Sequence, residues 1–190
     1  MPRKLHHLIV CALATCSMLD DDLYAGSSPF YEEAPIYYSE TEPTDPLADL
    51  IRKIDAGAVR LDQWSEKGFL KSLLTELDVP IESQVLVYSK TSLQNHRILP
   101  SRPRALYFSD DYYVGWVQGG DIEVISIDPQ LGPVFYLLKV PRSPKDKPVL
   151  IRSSECMNCH GGSRTGGVPG MLVRSVRPDT GGFPILSAGT

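Results

Sequence analysis

The stretch "RALYFSDDYYVGWVQGGDIEVISIDPQLGPVFYLLKV", residues 104–140, decides the fold. Its apolar residues recur with a period near two. It divides into "RALYFSD", "YYVGWVQGG", "DIEVISIDP" and "PVFYLLKV", with "SDD" (109–111) and "QLG" (130–132) as turns. Runs spaced by about ten residues and joined by tight turns predict an antiparallel meander. Upstream, "QVLVYSK" (84–90) adds a short strand. Downstream, a polar loop, "PRSPKDKP" (141–148), leads into a last strand, "VLIRS" (149–153).

Before the strands the period is helical. In "DPLADLIRKIDAG" (45–57), Asp45 is placed to cap, Pro46 sits in the first turn, and Leu47, Leu50, Ile51 and Ile54 form one face. Gly57 stops the run. "DQWSEKGFLKSLLTELD" (62–78) puts Trp64, Phe69, Leu70, Leu73, Leu74 and Leu77 on a broad face, weakened at Gly68. The expected class is therefore α+β: an N-terminal helical pair followed by an antiparallel β-meander, over residues 45–190.

The N-terminus reads as an export signal, residues 1–25. Basic "MPRKLHH" precedes the apolar run "LIVCALATCSML", which is shorter than the roughly 20 residues a membrane span needs. "LATC" ending at Cys16 offers an alternative, a lipoprotein-type cut that would anchor the chain through an acylated Cys16; a buried N-terminal helix is a further one. Residues 26–44, rich in Pro, Ser, Glu and aromatics without a period, read as an acidic solvated linker, or else as tyrosines lying on the domain surface. Nine acidic side chains and no Lys or Arg fall in residues 20–49, whereas residues 101–190 carry ten basic against eight acidic, too weak a balance for nucleic acid. Sixteen prolines and fifteen glycines argue against a helical bundle.

The last strand delivers the chain into "SSECMNCHGG" (153–162). Of the four cysteines, export leaves Cys156 and Cys159 in the soluble domain. Two thiols three residues apart close too small a loop to staple a fold, so they point to chemistry. C-x-x-C-H is the attachment signature of c-type haem. Two thiols add to the two vinyl groups on one porphyrin edge, and the adjacent His160 reaches the iron as proximal ligand. A structural zinc site needs four ligands, usually with a second C-x-x-C or an H-x-x-H, and outside the signal segment only His96 is left to join the motif residues. A thioredoxin-like dithiol wants a helix after the motif, which "HGGSRTGG" suits badly. An unreactive thiol pair completes the alternatives.

For the sixth iron position the candidates are Met171 and His96; Met157 lies inside the motif and cannot swing over. Water, or a ligand from a further portion of the chain, would otherwise fill it. Met171 reads equally as a core residue of "GMLVRSV", and His96 as a solvated turn residue in "LQNHRILP". The glycines of "GGSRTGGVPG" (161–170) would let backbone approach a flat cofactor. Arg152, Arg164 and Arg174 are candidates for pairing with haem propionates, or exposed. Tyr107, Trp116 and Phe135 read as core.

Two stretches carry a resemblance: "ESQVLVYSKTSLQNHRILPSRPRALYFSDDYYVGWVQGGDIEVISIDPQLGPVFYLL" (82–138) and "CMNCHGGSRTGGVPGMLVRSV" (156–176). Together they resemble an uncharacterised family of exported, c-type-cytochrome-like proteins of planctomycete-type bacteria. The resemblance covers roughly residues 45–190 and implies that this chain corresponds to the N-terminal part of longer proteins. Residue by residue it implies Cys156 and Cys159 as thioether anchors and His160 as proximal ligand of one covalent haem c. The expectation is an exported, periplasmic or envelope electron carrier working between redox partner proteins. The alternatives are a haem enzyme with an open iron site and a non-haem extracellular binding module.

Overall fold

A computed structural model describes residues 29–63, 67–141, 143, 147–172 and 176–188. Six strands follow one another in space as in sequence: β1 (Val85–Val87), β2 (Arg104–Phe108), β3 (Tyr112–Trp116), β4 (Ile122–Asp128), β5 (Gly132–Lys139) and β6 (Val149–Arg152). Every neighbouring pair is antiparallel, so the sheet is an open meander. Short polar turns join β2 to β3 and β4 to β5. Between β4 and β5, the Asp128 carboxylate accepts from the backbone N–H groups of Gln130 (2.8 Å) and Leu131 (2.9 Å), which closes the turn.

The register puts Tyr107, Val114, Val124, Tyr136 and Arg152 in one row across β2 to β6. That row belongs to the buried face. Two helices supply the other half of its core: α1 (Pro46–Asp55) and α2 (Leu70–Glu76), whose Leu47, Leu50, Leu70, Leu73 and Leu74 join Tyr107, Val114, Val124, Tyr136 and Leu138 in one cluster. The molecule is thus α+β, with helices gathered on one side of an antiparallel sheet. Asp45 caps α1 as its sequence position predicts, its Oδ1 accepting from the N–H groups of Leu47 (2.9 Å) and Ala48 (3.2 Å). Its Oδ2 accepts from the Tyr136 hydroxyl, so one fully buried carboxylate starts the helix and pins it to the sheet. The second helix begins at Leu70, just past Gly68, whose φ of +55° breaks the regular backbone. Trp64 lies outside the described residues.

The opposite face is apolar but thinly covered. Phe108 stacks on Tyr113 with ring centres 6.1 Å apart, and Ile127 and Ile151 stay exposed. The Arg104 guanidinium crosses over Gly115 of β3 to pair with Glu123 of β4. A Cβ at position 115 would overlap that guanidinium, which is why a glycine sits in the middle of β3.

The structure differs from the sequence expectation in two places. Described residues of the 26–44 segment are not a solvated linker. They lie against the domain, as the alternative reading of the tyrosines has it, with Tyr38 only 3% exposed. Apolar and hydrogen-bonding partners outweigh the segment's acidic composition. The CxxCH stretch is a helical turn rather than a loop. The signal segment 1–25, with Cys16, and the linker's first residues, 26–28, lie outside the described residues. Among the described residues no helix is long and apolar enough to cross a membrane.

Asp45→Ala removes the cap and leaves the Tyr136 hydroxyl buried without its acceptor. The expected cost is about 2–4 kcal/mol, from cap loss and an unpaired polar group together. Asp45→Asn, which keeps a capping oxygen, should cost less. Urea unfolding midpoints of the two variants test this ordering.

Candidate functional site

The motif begins where the sheet ends. After Arg152 the Ser153 N–H still donates to the Phe135 carbonyl (2.8 Å), so the chain leaves β6 fastened to β5. Ser154–Cys156 then forms a single 3-10 turn and Met157–His160 a short α-helical turn, α3. The Met157 side chain, 5% exposed, points into the core and anchors this turn. Cys156 is half-buried and Cys159 exposed, and both are free thiols. Burial pushes the Cys156 thiol up to about 11; the hydrogen bond with Ser153 and the Arg104 charge pull the other way, and Glu123 and Glu155 add to the rise.

His160 is held on an edge and on a face. Its Nδ1 lies 2.9 Å from the Gly170 carbonyl oxygen, and the Gly170 N–H returns a bond of 2.8 Å to the His160 carbonyl. A carbonyl can only accept, so Nδ1 carries the proton, and when the ring is neutral Nε2 keeps the lone pair. The Phe135 ring lies against the imidazole, centre to centre 4.6 Å at 43°. Thr165 Oγ donates to the carbonyls of His160 (3.2 Å) and Gly162 (2.9 Å) and folds the glycine-rich segment back beneath the turn. Together these contacts aim the ring in the way outer partners orient a metal-binding histidine.

Residues 30–44 form a strap across the same region. Tyr31 meets the motif at Gly161, where an added Cβ would sit 2.5 Å from the Tyr31 ring and 2.7 Å from Met157 Cε. Phe30 lies over Gly167 in the same manner. These two glycines therefore make room for strap rings. Tyr38 packs edge-on to Tyr31 with ring centres 5.9 Å apart, and its hydroxyl donates to the Pro133 carbonyl (3.0 Å). Arg152 holds the strap from below. Its guanidinium donates to the carbonyls of Tyr38 and Thr41 and stacks 4.4 Å from the Tyr38 ring centre. Burial raises the Tyr38 phenol to about 12, against the lowering effect of that guanidinium. At the strap's far end Thr44 N–H donates to Asp128 (2.6 Å).

The remaining candidates fall into place around this frame. Met171 is half-buried and directly follows Gly170, so its backbone enters beside the Nδ1 edge of His160. His96 is exposed in the turn Asn95–Arg97. Neighbouring Gln94 exchanges hydrogen bonds with the Asp121 backbone (2.7 and 2.9 Å), which ties that turn to the start of β4. The motif's glycine segment instead approaches Gly132, past the other end of β4. Seven residues of strand separate them, about 20 Å at some 3.4 Å per residue, so the structure does not bring His96 to the motif. Arg164 is exposed beside Cys159; Arg174 lies outside the described residues. Arg152 is neither exposed nor turned to a ligand, because the strap uses it. Tyr107 is core as expected, Trp116 packs half-buried against it, and Phe135 serves both core and site.

Do these residues suit a haem? Among the described residues no group of three or more His, Cys, Asp or Glu side chains is placed to hold a metal ion. Zinc needs four donors converging on one point. Thioether attachment asks only that two thiols meet a porphyrin edge while one imidazole reaches the iron, and this donor set fits that demand. Two shallow depressions flank the turn. One of about 230 Å³ is lined by Asn158, Cys159, Gly162, Ser163 and Arg164, and one of about 190 Å³ lies over Leu137, Ile151 and Ser153–Glu155. Both are smaller than the roughly 300–1,000 Å³ pockets that retain ligands by enclosure. A flat group here would depend on covalent anchors.

No protein family, curated protein or solved structure matches the chain.

Asp128 gives the strap a pH dependence. Burial disfavours its charge, but the N–H groups of Leu131, Thr44 and Gln130 and the Thr44 hydroxyl outweigh that and hold the carboxyl below its ordinary 3.8. A depressed carboxylate stabilises the fold above its unfolded value and loses that contribution as pH falls through the folded one. The urea midpoint of the wild type should therefore drop more steeply below about pH 4 than that of Asp128→Asn.

Proposed function

We propose that this chain is a c-type cytochrome module: an exported protein that carries one covalently attached haem c and passes single electrons between redox partner proteins. The observation that carries the reading is the helical turn 156–160 with His160 fixed through Nδ1–H to the Gly170 carbonyl, which leaves Nε2 free to ligate. In this reading Cys156 and Cys159 hold the porphyrin edge and His160 supplies the proximal nitrogen. The bound haem would supply an iron that accepts and returns one electron, its potential set by the axial ligands and by burial. Phe135 restricts the imidazole ring, and the Gly170 carbonyl fixes its orientation by accepting from Nδ1–H. Attachment of this kind of haem takes place outside the cytoplasm, in keeping with the export reading of residues 1–25; a lipid anchor through Cys16 would place the same module at the envelope surface. The resemblance to exported c-type-cytochrome-like proteins supports the same conclusion.

The placement of the two candidate sixth ligands favours a second reading. Met171 enters on the Nδ1 side of His160 and His96 sits by the far turn, so an open iron position that binds a small molecule accords with the described residues. A low-spin spectrum would support the carrier, and a high-spin one the open site.

The protein is to be expressed in a periplasm with haem-attachment machinery, denatured, and taken through a pyridine haemochrome assay after acid-acetone extraction. A retained c-type α band is expected, shifted to longer wavelength in Cys156→Ser or Cys159→Ser, and lost from the protein when both are replaced. Absence of covalent haem, with one zinc equivalent or a Cys156–Cys159 disulfide instead, would move the chain to the class of non-haem binding modules.

A further inference from the structure

The two thiols of the motif differ in access, and the strap accounts for the difference. We propose that residues 30–44 are a gate over Cys156: Cys159 reacts with the strap in place, whereas Cys156 reacts only when the strap lifts.

The strap touches the chain on both sides of Cys156. Before it, Arg152 donates to the Tyr38 and Thr41 carbonyls and stacks under the Tyr38 ring. After it, Tyr31 covers Met157 and Gly161, and Phe30 covers Gly167. Between these anchor points Cys156 is packed against the core cluster that contains Tyr38, whereas Cys159 is open to solvent. The strap's hold is of the kind that opens locally. Its fixings are one guanidinium, a few aromatic edges, the buried Tyr38 with its hydroxyl bond to Pro133 and the Thr44–Asp128 contact, and it adds no strand to the sheet. Such segments open at lower free energy than sheet and core.

The consequence is an order of reaction. Addition of a thiol to a haem vinyl group forms one sulfur–carbon and one carbon–hydrogen bond across the double bond, and nothing leaves. Cys159 would form its thioether first and Cys156 second, once the strap is displaced. This order rests on the cytochrome reading; the gate itself does not, because it concerns thiol access alone.

The test uses the full reduced chain without haem and iodoacetamide as probe. Its carbon–iodine bond breaks as the sulfur–carbon bond forms, with iodide and a proton released. Peptide-resolved mass spectrometry separates Cys156 and Cys159 from Cys11 and Cys16. The expected result is labelling of Cys159 at least about tenfold faster than Cys156, at a Cys156 rate that low urea leaves unchanged, as for local opening. Tyr31→Ala and Gly161→Ala, which loosen one end of the strap, should each narrow the gap, and Arg152→Ala should nearly close it. Circular dichroism identifies the variants that remain folded. Equal labelling in the wild type, a gap unchanged in folded strap variants, or a Cys156 rate that follows global unfolding in urea would each overturn the gate. With the gate upheld and no haem attached in the haemochrome assay, the cytochrome reading fails alone; with haem attached and equal labelling, the gate fails alone.

Discussion

Arg152 is the side chain on which the site's architecture depends. It ends β6, the strand that delivers the motif, and its guanidinium reaches two carbonyls and one ring of the strap. Hydrogen bonds from an ionised donor are about twice as strong as neutral ones, and a half-buried guanidinium needs such acceptors to offset its lost hydration. One residue thus joins the last strand, the N-terminal strap and the start of the CxxCH turn. Among the described residues the cation is compensated by carbonyl dipoles and a π face rather than by a carboxylate.

The sheet was legible because its information is local. Period-two runs and turn residues such as Asp128 fix each strand against the next one in sequence, and a meander asks for no long-range pairing. The cap at Asp45 and the stop at Gly57 were legible for the same reason. The strap was not. Its hydrogen bonds to the sheet join residues 84 to 114 apart in sequence, as Thr44 to Asp128 and Tyr38 to Arg152. A run with no period and many carboxylates resembles a solvated tail until its partners are placed. One signal was present: three tyrosines and a phenylalanine within residues 30–38 would be unusual in a segment with nothing to bury against, and tyrosine offers apolar body as well as polar handle.

The site was partly legible. Spacing alone singled out Cys156, Cys159 and His160, because that chemistry is written in consecutive residues. The partners that orient His160, namely Phe135 and the Gly170 carbonyl, were not. A backbone carbonyl has no sequence signature. Phe135 belongs to the consecutive buried run Val134, Phe135 and Tyr136. Such a run implies that both faces of the sheet are covered at that point, and the motif turn is the second cover.

Which of the two thiols lies beside the strap follows from one residue inside the motif, Met157. In a helical turn successive side chains rotate by about 100°. With Met157 buried in the core, His160 lies about 60° from the inward direction, Cys156 about 100° and Cys159 about 160°. The exposures follow that sequence: His160 and Cys156 are half-buried, and Cys159 is open. Asn158, about 100° to the other side, is exposed as well. An apolar residue at the first variable position of C-x-x-C-H thus turns one thiol towards the protein and the other towards solvent. A polar residue there would remove the reason for the turn to pack in this orientation, and with it the distinction between the two sulfurs.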